Sequence, residues 1–176
     1  FRKRKFRDGQ KKILKRALSR KNTIGLLPTG AGKSLCYQLA TLLQPGLTLV
    51  IDPLRSLMID QNDNLRKYCL DRSAYIISDM TSIEREQVSE RFYRAELQFL
   101  FISPERLQIK SFREGLSAFI SDHPIAYAVI DEAPHGFGGV LRFDVRRDRR
   151  QAGVKASHQL VFLLMASEFH ASLTSL

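Results

Sequence analysis

Short, continuously apolar runs alternate with amphipathic stretches through most of this chain of 176 residues. Residues 23–27, 47–52, 73–77, 98–102 and 125–130 have the length and β-branched or aromatic content of buried strands. Between them the spacing predicts helices over residues 10–20, 33–43, 54–69, 81–95 and 111–121. In the first of these, Ile13, Leu14, Ala17 and Leu18 recur at helical intervals with basic residues around them. Strands that are apolar on both faces, separated by helices, imply an α/β fold: a mainly parallel sheet with helices on both faces. Ligands of such sheets bind beyond the carboxyl ends of the strands.

Composition adds little to that picture, and charge adds more. A length of 176 residues suits one domain, and 44% hydrophobic with 26% charged residues is ordinary for a globular protein. The longest apolar run, over residues 160–166, is well short of the ~18 residues a membrane helix needs. The basic opening has no apolar region behind it, so a secretory signal is not expected. Cys36 and Cys69 fall in expected helices without metal-ligand spacing, which suits reduced thiols in a cytosolic protein. Residues 1–21 hold eleven Lys and Arg against the single acid Asp8, equal to the whole chain's net charge of +10. Such a distribution points to a polyanionic partner, nucleic acid or a nucleotide, and equally suits a solvated basic helix face. A second basic cluster over residues 142–155 is offset by acids elsewhere.

Candidate chemistry stands at two strand ends. After the first strand comes Thr29-Gly30-Ala31-Gly32-Lys33-Ser34, followed directly by a helix. The two glycines permit positive φ and close approach of backbone to a ligand. Successive N–H groups can then face a polyphosphate, with the helix N-terminus behind them. Lys33 can reach the terminal phosphates, and the Ser34 hydroxyl can hold Mg²⁺. The full phosphate-loop pattern asks for glycine five residues before Gly32, where this chain has Leu27. A glycine turn ahead of an ordinary helix is the plainer alternative. The last strand runs into Asp131-Glu132. There one carboxylate can serve the Mg²⁺ and the next can orient or deprotonate an attacking water.

Five motifs in order carry a family resemblance. They are Phe6-Arg7-Asp8-Gly9-Gln10, the loop with its Leu35-Cys36-Tyr37-Gln38 extension, the segment Asp52-Pro53-Leu54-Arg55-Ser56-Leu57-Met58 running on to Gln61, Ser103-Pro104-Glu105-Arg106-Leu107, and Val129-Ile130-Asp131-Glu132-Ala133. Residues 1–133 thereby resemble the opening of RecQ-type DNA helicases. The resemblance implies a RecA-like P-loop NTPase domain, the first motor domain of an ATP-dependent 3′–5′ DNA helicase of recombination and repair. It implies ATP and Mg²⁺ as cofactors and single-stranded or partly duplex DNA as partner. It also implies a cytosolic or nucleoid location, nuclear in a eukaryote. Carried over by position, Arg7 and Gln10 recognise adenine, and Thr29, Gly30, Ala31, Gly32, Lys33 and Ser34 hold phosphates. Ser34 and Asp131 serve Mg²⁺, Glu132 activates water, and Ser56, Ser103 and Arg106 contact DNA phosphates. The segments around Ser56 and Ser103 also read as helix starts, compatible with phosphate contact.

Three positions depart from the family pattern. Lys3 stands where an aromatic normally precedes Phe-Arg. Pro134 is inserted in the Asp-Glu-Ala-His signature and displaces His135, and residues 136–150 replace an aromatic-rich loop in a chain with no Trp. Residues 134–176 are accordingly set apart as a divergent tail, out of register through a reading-frame change or a truncation, with no function assigned. Within it, residues 160–169 read as a strand or helix capping the sheet, or as a chance apolar run. The expectation for the chain alone is binding of ATP or DNA with little turnover and no unwinding, since no facing motor domain supplies an arginine. A non-catalytic DNA-binding module is the alternative.

Overall fold

The sequence pattern places its strands well. In a computed structural model, which describes residues 5–28, 30–131 and 158–164 together with 169 and 173, the strands are β1 (Thr23–Pro28), β2 (Leu47–Ile51), β3 (Ser73–Ile76), β4 (Phe99–Ile102), β5 (Ile125–Asp131) and β6 (His158–Leu164). The helices are α1 (Gln10–Leu18), α2 (Lys33–Leu42), α3 (Arg55–Lys67), α4 (Ser82–Tyr93) and α5 (Lys110–Asp122), with a 3-10 turn over Pro104–Gln108. The strands form one sheet in the order β1-β6-β5-β2-β4-β3. Strands β5, β2, β4 and β3 are parallel neighbours, whereas β6 is antiparallel to both β5 and β1. The expected α/β architecture is therefore present, with one reversed strand inside it. Residues 158–164 form a strand inside the sheet, whereas the run over 160–169 reads in the sequence as a capping strand or helix or as a chance apolar run.

Alternation along the buried strands feeds two cores. On one face Val50, Phe99, Phe101, Tyr127 and Val129 pack with Ile13 and Ala17 of α1, Cys36, Tyr37 and Ala40 of α2, and Met58 and Leu65 of α3. On the other, Leu49, Ile51, Leu100, Ile102 and Ile130 pack with Phe92 of α4 and with Leu116 and Phe119 of α5. Phe169 and Leu173, four residues apart, join this second core. Buried polar groups pair across layers: the Tyr127 hydroxyl donates to Ala17 O at 3.1 Å, and Thr41 Oγ1 donates to Thr48 Oγ1 at 2.7 Å.

Three helices stop two residues before their expected ends. At Arg20, Cys69 and Ala95 the backbone turns left-handed, with φ of 53°, 59° and 53°. In each case this residue's N–H donates three residues back and the next N–H donates five back. For α3 these bonds are Cys69 N to Arg66 O at 2.8 Å and Leu70 N to Leu65 O at 3.1 Å. This is the Schellman closure, normally made with glycine. No glycine marks any of the three, so the apolar periodicity reads past the true ends, and Cys69 lies outside its helix.

Candidate phosphate-loop site

Pro28 ends β1 and Gly32 caps α2, so the loop between them is short and its shape depends on glycine. Gly30 and Gly32 have φ of 72° and 79°. The Ala31 N–H donates to Pro28 O at 3.0 Å and tightens the turn. Gly32 has no side chain with which to cap α2, so the first turn of the helix presents its N–H groups toward the loop, where an anion can meet them. A Cβ at Gly32 would lie 2.6 Å from Gln10 Nε2. Glycine is needed there for conformation and for room.

Gln10 opens α1, is 3% exposed, and is bound to the loop. Its Nε2 donates to Ala31 O at 2.8 Å and Gly32 O at 3.1 Å, and its Oε1 accepts from the Arg7 N–H at 2.8 Å. The Arg7 guanidinium donates to Gly30 O. Both hydrogens of the Gln10 amide are thus directed at loop carbonyls, leaving one lone pair of Oε1. The residue expected to read adenine at two points is arranged here as a clamp on the phosphate loop.

Lys33, the first residue of α2, reaches across to the end of β5. Its Nζ lies 3.7 Å from Asp131 Oδ1, and both side chains are nearly excluded from water. Beside them a polar chain links two helices: Gln38 Nε2 donates to Gln61 Oε1 at 2.8 Å, and Gln61 Nε2 donates to Ser34 Oγ at 2.7 Å. Tyr37 is wholly buried close to Ser34 and Asp131. Burial, aided by the negative charge of Asp131, pushes its phenol well above the usual range and keeps it a hydroxyl. Sequence reasoning assigned no individual role to Gln38, Tyr37 or Gln61, although all three lie inside the quoted motifs. The four-residue step from Ser34 to Gln38, one turn of α2, was the signal that could have found the first.

The site contains donors suited to a nucleotide and Mg²⁺. Mg²⁺ takes one or two protein oxygens and fills its shell with phosphate and water. The Asp131 carboxylate and Ser34 hydroxyl are such oxygens, with a buried ammonium between strand end and loop. A cleft of about 340 Å³ opens beside the loop glycines. Arg7 and Gln10 border it, with Leu35 and Gln38 of α2, Asn64 of α3 and Tyr68 at that helix's C-cap. Its volume falls in the range of small-molecule sites.

The expected DNA-contact residues follow the adjacent strands β2 and β4. Ser56 is exposed in the first turn of α3, just past β2, while Asp52 Oδ1 accepts from the Leu54 N–H at 2.8 Å and holds the entry to that helix. Ser103 follows β4, the strand paired with β2, and is partly buried. Arg106 is also partly buried, its guanidinium 5.6 Å above the Phe112 ring. Burial, together with the charge of Arg85, lowers its pKa from the ordinary value. Ser56 and Ser103 therefore stand beyond neighbouring strands, whereas Arg106 is turned toward the protein's own aromatic. Thr29, Glu132, Lys3, Pro134, His135 and the basic cluster over 142–155 lie outside the described residues. Among the described residues no helix is long and apolar enough to cross a membrane.

A family model for the DEAD/DEAH box helicases matches residues 7–165. The chain is 43% identical over 128 residues to the probable ATP-dependent DNA helicase RecS of Bacillus subtilis, covering 73% of this chain and 25% of that protein. It is 46% identical over 132 residues to the ATP-dependent DNA helicase Q4 of Homo sapiens, covering 73% of this chain and 10% of that one. To the ATP-dependent DNA helicase RecQ of Pasteurella multocida it is 39% identical over 128 residues, covering 73% of this chain and 20% of the relative. The chain thus spans a quarter or less of the length of these curated relatives.

Proposed function

This chain belongs to the DEAD/DEAH box helicase family, and we propose that it is the nucleotide-binding first motor domain of a RecQ-type ATP-dependent 3′–5′ DNA helicase. The observation that carries the reading is the buried Lys33–Asp131 pair, which brings the loop after β1 and the acidic end of β5 together at 3.7 Å. Thr29 through Ser34 bind the phosphates with backbone N–H groups, and Lys33 neutralises their charge. Ser34 and Asp131 hold Mg²⁺, whose charge offsets that of the phosphates when bound. Glu132 orients and deprotonates the attacking water. Arg7 and Gln10 stand at the base end of the cleft and shape the loop from behind. Ser56 and Ser103 line a path for single-stranded or partly duplex DNA along the adjoining strand ends, with the positive charge of Arg106 beside it, through contacts that position without reading sequence.

Residues 1–133 are the motor domain proper in this reading, and the later segment has no assigned chemistry. P-loop enzymes gain about 10³–10⁵ in rate from an arginine supplied by a facing partner. The isolated chain should therefore bind ATP, hydrolyse it slowly and separate no strands. An ATPase assay with and without single-stranded DNA, run beside Lys33→Ala, tests this: binding and residual turnover should both disappear in the variant. Unaltered ATP affinity in Lys33→Ala, or strand separation by the wild-type chain alone, would overturn the reading. A non-catalytic DNA-binding module has one observation in its favour, the exposed basic residues Lys11, Lys12, Lys15 and Arg16 on α1. DNA binding that ignores ATP and fades steeply with salt would identify that alternative.

A further inference from the structure

We propose that Tyr68 supplies the aromatic wall on which the purine ring of the bound nucleotide stacks, an assignment that rests on the nucleotide-site reading above. A base needs a flat apolar face as well as polar partners for its edge. In this cleft the Gln10 amide hydrogens are directed at Ala31 O and Gly32 O. Stacking adds binding energy that in-plane hydrogen bonds alone do not supply. Among the described residues lining the cleft, Tyr68 is the aromatic. Its side chain is large and apolar over most of its surface, and the residue is 52% exposed and lines the same cleft as Gly30 and Gly32.

The position is also fixed. Tyr68 is the C-cap of α3, and its N–H donates to Leu65 O at 3.0 Å. The left-handed Cys69 then turns the chain away, so the ring is presented at the end of a closed helix. One turn earlier on the same helix, Asn64 lines the cleft and offers an amide to the base edge or the sugar. Residues 61, 64 and 68 therefore line the cleft along one helix face, beginning at the Ser34 contact.

The test measures binding of ATP and of inorganic tripolyphosphate to the full chain by calorimetry. Base–aromatic stacking lost on truncation to alanine is a change of about five- to a hundredfold in affinity. Tyr68→Ala should weaken ATP by at least about fivefold and leave tripolyphosphate within twofold of wild type. Tyr68→Phe, which keeps the ring, should bind both ligands as wild type does. Tyr68→Ala that binds ATP within twofold of wild type overturns the stacking role, as does equal weakening of ATP and tripolyphosphate. A wild-type chain that binds neither ligand would instead sink the nucleotide-site reading itself.

Discussion

The sheet is assembled by two different means on either side of β5. From β5 through β2 and β4 to β3 every neighbour is parallel, with one irregularity between Leu47 and Thr48. Each of these strands is reached by a connection containing a helix or helical turn, and each is buried on both faces. On the other side, β1 pairs with β6, and β6 pairs in turn with β5. Gly25 of β1 and Asp131 of β5 thus both stand opposite Val161 of β6. The phosphate loop leaves β1 and its acidic partner ends β5, so the two parts of the candidate site sit on strands separated by a third. Motif residues make up the candidate site, while a strand outside those motifs helps to set the spacing.

That contrast can be broken at Leu163, which is 1% exposed, faces the core with Tyr37 and Val129, and lies opposite both Thr23 and Val129. Leu163→Ala should cost about 2–5 kcal/mol by denaturant unfolding, from lost burial and the cavity left behind. It should also weaken ATP, because the loop and Asp131 lose their common support. Leu100→Ala, equally buried in β4 on the opposite face, should cost a similar amount and leave ATP affinity unchanged. The spacer role of β6 fails if the two variants treat ATP alike.

The same contrast explains what was legible. The strands of the parallel block were legible because burial on both faces leaves a continuous apolar run such as Phe99–Ile102. The family resemblance, and with it the fold, is borne out for the same reason: loop, strand and acidic end are local in sequence. The run from 160 shows that something is buried but carries no sign of direction, since an antiparallel strand between two parallel ones needs the same apolar residues. Helix ends were misplaced where Arg20, Cys69 and Ala95 adopt a glycine conformation without being glycine. Gln10 was found by type and position, yet its partners, 21 and 22 residues away, could not be read from spacing. The Gln38–Gln61–Ser34 chain joins two helices, and no single-helix periodicity reveals it.

A smaller effect sharpens the comparison from within the parallel block. Thr81 begins α4 with a reciprocal capping box: its Oγ1 accepts from the Glu84 N–H at 3.2 Å, and Glu84 accepts from the Thr81 N–H at 2.8 Å. Thr81→Ala should cost about 1 kcal/mol and leave nucleotide binding untouched, unlike Leu163→Ala. The Thr81 N–H and hydroxyl hold the Glu84 carboxyl below its ordinary pKa. A lowered folded-state pKa gives a contribution present above the unfolded carboxylate range and lost as pH falls through the folded value. The gap between wild type and Thr81→Ala should therefore narrow as the medium is acidified below the ordinary carboxylate range. A gap that stays constant would remove Glu84 from the cap.

The smallest expected change is of opposite sign and tests the end of α3. Cys69 holds φ of 59°, a conformation that costs an ordinary residue about 1–2 kcal/mol. Glycine escapes that cost but loses about 0.5–1 kcal/mol more backbone entropy on folding. Cys69→Gly should thus stabilise the chain by about 0.5–1 kcal/mol, the difference of the two. The substitution preserves the N–H bonds that close α3, so Tyr68 keeps its place and ATP affinity should not move. Removal of this exposed thiol leaves only Cys36, whose pKa burial pushes up to about 11. Thiol-reactive reagents at pH 8 should then label the variant only on unfolding, while wild type reacts at once at one site. A destabilised Cys69→Gly would mean that the cysteine side chain makes a contribution larger than the strain of its backbone.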